Sequence, residues 1–239
     1  MINLEDFVSK IWGGILKISG NLVIDPMKFN AVFAYNNLDL TEFTKFLFEQ
    51  NMIIPGRVSF NGRLYSKGES INELANNLDV EANYLASKIE INGIAIDDYI
   101  KTVLNPHYKF RASLKQDTYY APYKGSTKFR SASGAAIIKD SLLHLKNNSF
   151  VTQFSTGALS AVLNIHNGDM KTISSILFLP LDKITYQEPI KLILHADNNF
   201  FNPRRWIDIE FLKQHLILLE KAKLEQQRSL NQNKRQHRH

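Results

Sequence analysis

The chain has 239 residues, 44% hydrophobic and 22% charged, with a net charge of +6 and no cysteine. That length can bury a sizeable core in one large domain or two small ones, and the missing cysteine excludes disulfide frameworks, thiolate metal sites and cysteine nucleophiles. The opening MINLEDF lacks a basic n-region, and the longest apolar runs, ILFLPL and LILL, cannot span a bilayer, so a soluble cytoplasmic protein is expected.

Along the chain, Leu4, Phe7, Val8, Ile11, Trp12 and Ile15 fall at helical spacing and predict an amphipathic helix over 3–18. Asp39 with Glu42 three residues on is a capping box, so a second helix starts there and carries Phe43, Phe46 and Leu47. Pro55-Gly56 ends this N-terminal helical region, residues 1–56. Three Asn-Gly pairs follow, at Asn61-Gly62, Asn92-Gly93 and Asn167-Gly168. Each predicts a hairpin, over 57–66, 89–97 and 159–178, because Asn and Gly tolerate the positive φ of a type I′ turn. Strand-like runs from 150 to 196 predict an antiparallel meander. Asn202-Pro203 then opens a long helix with Trp206, Ile209, Leu212, Leu216 and Leu219 as its buried stripe. The expected fold class is α+β: N-terminal helices, a body over 57–225 with a central antiparallel sheet and a C-terminal helix, and a disordered basic tail over 226–239.

Residues 57–97 admit three readings. Helices at 71–78 and 81–89, with Ala75 and Asp79 between them, would make a helix-turn-helix. Residues 69–90, however, hold Glu69, Glu73, Asp79, Glu81 and Glu90 against Lys88 alone, and an acidic recognition helix repels phosphates. Gly68-Glu69-Ser70-Ile71, Leu74-Ala75, Val80, Leu85 and the trailing Asn92-Gly93-Ile94 resemble the LysM family pattern. That resemblance implies a strand–helix–helix–strand glycan-binding module, or a tail or baseplate component reusing the fold. The third reading takes Ile71, Leu74, Leu78, Ala82, Leu85 and Ile89 as one face of a single core helix, and it is preferred.

No catalytic, metal or cofactor motif is legible. The seven histidines (His107, His144, His166, His195, His215, His237 and His239) are scattered. A nuclease built on Asp169, Glu188 and Lys191 would place Glu188 and Lys191 on opposite strand faces, with Pro189 between them. His195 and Asp197 would share a strand face. Arg204 at a helix start opposes the macrodipole and would pair with Asp208 at i,i+4.

The charge is localised. Residues 107–130 and 221–239 carry +5 each, so the remainder is net −4. In the first stretch Tyr108, Phe110, Tyr119, Tyr120, Tyr123 and Phe129 interleave with Lys109, Arg111, Lys115, Lys124, Lys128 and Arg130. Rings that stack on bases beside cations that track phosphates suit RNA or single strands. Lys234, Arg235 and Arg238 of the tail would add non-specific phosphate contacts. The expected function is therefore non-enzymatic nucleic-acid binding. The alternative is an assembly protein of a viral, phage or secretion apparatus that meets acidic protein surfaces, with homo-oligomerisation possible.

Overall fold

A computed structural model describes residues 1–48, 53–105, 114–115, 118–119, 123–178 and 190–236. Among the described residues eleven strands run in chain order: β1 (Ile2–Ile11), β2 (Gly14–Ile24), β3 (Met27–Asp39), β4 (Arg57–Gly68), β5 (Asp79–Asn92), β6 (Ser126–Lys139), β7 (Leu142–Val151), β8 (Ser155–Asn164), β9 (Asp169–Phe178), β10 (Ile190–Asn199) and β11 (Asn202–Asp208). They form one sheet in sequence order, each strand antiparallel to the next. The helices are α1 (Leu40–Phe48), α2 (Ile71–Asn76), α3 (Ile96–Val103) and α4 (Glu210–Gln236). The α+β class is thus overturned: the molecule is predominantly one antiparallel sheet. No described helix is long and apolar enough to cross a membrane.

The expected N-terminal helix is β1 and β2. The β1–β2 register shifts between Leu4, which pairs with Gly20, and Phe7, which pairs with Ile18, and Asp6 takes a positive φ of 48°. A bulge of this kind puts residues three apart on one face, which imitates helical spacing. Among the described residues of the 1–56 region only α1 is helical, its Thr41 amide donating to Asp39 Oδ1 at 2.9 Å.

Both the single helix over 71–89 and the two-helix readings fail as well. After the six residues of α2 the chain enters β5, where Val80, Ala82, Tyr84 and Ala86 alternate with Glu81, Asn83 and Leu85. Period two prevails.

Asn61-Gly62 lies inside β4, not in a turn. A Cβ on Gly62 would sit 2.1 Å from Glu81 O, so the glycine admits the neighbouring strand. Asn92-Gly93 ends β5 and leads into α3 instead of a hairpin. Asn167-Gly168 does join β8 to β9, with Gly168 at φ +76°.

Asn202-Pro203 opens the edge strand β11, where a proline's missing donor is tolerated. The last helix therefore begins seven residues beyond Pro203, capped by Asp208 Oδ1 on the Glu210 amide (3.0 Å), and it continues through 226–236, the stretch expected to be disordered. Leu212 and Leu216 of α4 join Tyr99, Ile100 and Val103 of α3 over Phe150, Ile176, Leu192 and Ile207 to form the core.

Candidate ligand-binding face

The pairing register divides the strand residues between two faces, with a break of alternation beside Lys88 (φ 54°) that turns Phe129 to the same side as Ala132. One row crosses all eleven strands: Phe7, Ile18, Phe33, Gly62, Ala82, Ala136, Leu145, Ala161, Thr172, Ala196 and Arg205. At about 4.8 Å per strand it measures about 48 Å along the sheet surface. The next row on the same face holds Ala31, Leu64, Val80, Ile138, Leu143 and Leu163. We call this the inner face. These two rows carry no charged side chain before Arg205 on β11. The opposite face presents Lys17, Arg63, Glu81, Lys171, Asp197 and Arg204.

Exposure follows the same division. Ala31 is 6% exposed and its neighbour Val32 60%; Ala86 is 2% exposed and Leu85 61%. The sheet curls towards the inner face. Arg205 on β11 donates to Gly93 O, just past the end of β5, at 2.7 Å. Across a flat sheet the six strand spacings from β5 to β11 would separate them by about 29 Å, far beyond a side chain's reach. Register shifts in the β1–β2, β3–β4, β6–β7 and β7–β8 ladders supply the bending.

Asn148 locks one of these bends. Buried at 2% exposure, it accepts from the Ala135 amide (2.8 Å) and donates to Ala135 O (3.1 Å), replacing ladder bonds lost at the bulge. Gly134 leaves room for it, since a Cβ there would lie 1.6 Å from Asn148 Oδ1.

Part of the inner face is filled. Helix α3 packs there, its first turn fixed by Asp97 Oδ1, which accepts from Thr152 (2.9 Å) and Ser155 (3.2 Å) hydroxyls, and by the Ile96 amide donating to Thr127 Oγ1 (3.1 Å). Helix α4 packs against β10, α2 against β4 and α1 against β3. The central row stays partly open: Phe33, Ala82, Ala136, Leu145 and Ala161 are all incompletely buried and outside the core cluster. The result is a curved sheet with an apolar inner surface, covered by α3 and α4 where Phe150, Ile176, Leu192 and Ile207 lie, while the outer rows line a cavity of about 820 Å³ with Lys17, Arg63, Glu81 and Asn83.

The residues expected to bind nucleic acid are dispersed. Tyr108, Lys109, Phe110, Arg111, Tyr120 and Arg238 lie outside the described residues, and Lys234 and Arg235 fall in the last turn of α4. Phe129 turns inward against Phe150, with ring centroids 5.4 Å apart. Lys128 and Arg130 are exposed on β6, where Lys128 meets Glu90 at 3.9 Å; Lys115 and Lys124 are also exposed.

Tyr119 and Tyr123 are brought to a place the sequence did not suggest. With Pro203, Arg204, Arg205 and Trp206 they line a cavity of about 670 Å³ at the β11 edge. There Trp206 stacks on His195 at 5.0 Å, and Arg204 binds Asp197 through Nε (2.9 Å) and Nη2 (2.7 Å) instead of Asp208. The Arg204 hydrogen bond holds the Asp197 carboxyl below its ordinary pKa. Desolvation raises the Tyr123 phenol and lowers the Arg205 guanidinium.

Asp169 opens β9, while Glu188 lies outside the described residues. Among the described residues no three His, Asp or Glu side chains stand close enough to share a metal ion. Comparison with protein-family models, curated proteins and solved structures finds no match to the chain.

Proposed function

We propose that the protein is a non-enzymatic binder of amphiphiles, holding an acyl chain along the inner face of its sheet. The observation that carries this reading is the uncharged row from Phe7 to Ala196, incompletely covered by the described helices, with Lys17, Arg63, Glu81 and Lys171 on the opposite face. Apolar area left open to water favours an apolar occupant by about 25 cal/mol per Å² covered. An aliphatic chain suits the surface because it brings no donors or acceptors that the row would leave unpaired.

The test is titration of a fluorescent fatty acid, cis-parinaric acid, into the intact protein and two neighbouring β8 variants. Ala161→Glu puts a carboxylate on the inner face, and Val162→Glu puts one on the outer face. Circular dichroism verifies that both fold. The expected result is at least a tenfold loss for Ala161→Glu with Val162→Glu unchanged. Absence of binding by the unmodified protein, or equal loss in both variants, contradicts the proposal.

A second reading, single-strand nucleic-acid binding, is favoured by one observation: Tyr119, 70% exposed, shares its cavity with Tyr123, Trp206 and two arginines. Fluorescence polarisation with labelled single-stranded RNA across a salt series decides it, since phosphate-driven binding falls steeply with salt.

A further inference from the structure

The central row of the inner face is apolar or uncharged on ten strands and ends on a cation. Arg205 pairs in register with Ala196, which pairs with Thr172. Among the described residues it is the one charged side chain of that row. Its guanidinium forms no ion pair there, and its hydrogen bond to Gly93 O engages one of five N–H donors. Arg204, by contrast, is already neutralised by Asp197.

A half-buried guanidinium without a carboxylate, set in a cavity walled by Tyr119, Tyr123 and Trp206, is suited to a planar or tetrahedral oxyanion. The Tyr123 phenol lies in the same cavity, and it stays protonated because burial raises its pKa. We infer that this cavity seats the phosphate head group of an amphiphile whose chain lies along the inner face, which makes Arg205 the residue that selects anionic heads. This inference rests on the acyl-chain reading and adds a direction: head at β11, chain towards β1.

Isothermal titration of the intact protein uses four probes below any micelle concentration: dodecyl phosphate, dodecyl maltoside, inorganic phosphate and a single-stranded oligonucleotide. Dodecyl phosphate is expected to bind about tenfold to a hundredfold tighter than dodecyl maltoside, the range of one charge-assisted hydrogen bond. Arg205→Gln removes that preference and leaves maltoside affinity unchanged, while Arg205→Lys retains most of it.

Because Arg205 also holds Gly93, a second readout uses a protein with its native arginine. In Trp12→Phe the remaining Trp206 reports directly, and its emission shifts with dodecyl phosphate but not with maltoside. Equal affinity for the two heads, or a silent Trp206, overturns the head-group seat and leaves the acyl-chain reading standing. No binding of either amphiphile removes both. Inorganic phosphate binding as tightly as dodecyl phosphate, or displacement of dodecyl phosphate by the oligonucleotide at equal concentration, overturns the seat in favour of a free anion or nucleic-acid site.

Discussion

Asn148 offers a sharp test of how the sheet holds its curvature. Its carboxamide supplies both partners of the Ala135 backbone where the β6–β7 ladder is interrupted, at 2.8 and 3.1 Å. Asn148→Ala deletes both hydrogen bonds and leaves an N–H and a C=O to find water. Each net bond is worth about 1 kcal/mol, with more where the orphaned group is buried. Ala135 faces solvent, so the lower end applies and the expected loss is about 2 kcal/mol. For a chain of this size that lowers the melting temperature by about 4–8 °C. Asn148→Asp keeps the acceptor, loses the donor and sets a carboxylate against Ala135 O, so it should cost at least as much as alanine. Urea denaturation followed by tryptophan fluorescence measures both. Variants within about 0.5 kcal/mol of the parent would refute the reasoning and show that the bend persists without its carboxamide bridge.

Three further outcomes are expected. Gly157→Ala would place a Cβ 2.3 Å from the Phe150 ring and 2.7 Å from Ser175 O, an overpacking that costs about 1–3 kcal/mol in the same denaturation experiment. Leu192→Ala, at 1% exposure under α3 and α4, should cost about 2–5 kcal/mol, while Val32→Ala on the outer face should stay within about 0.5 kcal/mol. Asp197 titrates below its ordinary value in the folded protein, so its contribution to stability is present above the unfolded carboxyl pKa of about 3.9 and disappears as pH falls through the lower folded value. Carbon-13 NMR of the side-chain carboxyls should show that depressed midpoint return to the ordinary range in Arg204→Gln.

Strand content was legible where alternation was clean. The runs from Phe150 onward predict a meander, and Asn167-Gly168 marks its turn because both the sequence and the geometry call for positive φ there. The helices expected at 3–18 and 71–89 come from the same apolar residues that line strands. The bulge at Asp6 makes Leu4 and Phe7 share a face, and Ala82, Leu85 and Ile89 mimic a helical stripe although Ala82 and Leu85 face opposite sides of β5. Small residues concealed the inner row, since Gly62, Ala82, Ala136 and Ala161 carry little apolar signal singly and gain meaning only from register. Tyr119 and Tyr123 stood out as aromatic and basic neighbours, but the arginines beside them in space come from about eighty residues away, which spacing along the chain cannot reveal.

The most direct measurement maps where a bound chain lies. A diazirine-bearing fatty acid is photo-crosslinked to the intact protein, and the adducts are located by peptide mass spectrometry. Adducts on Ala136, Leu145, Ala161 and their inner-face neighbours, with Val32, Leu85 and Val162 unlabelled, are the predicted result. Labelling spread equally over both faces, or confined to the outer one, would contradict the assignment of the inner face as the binding surface.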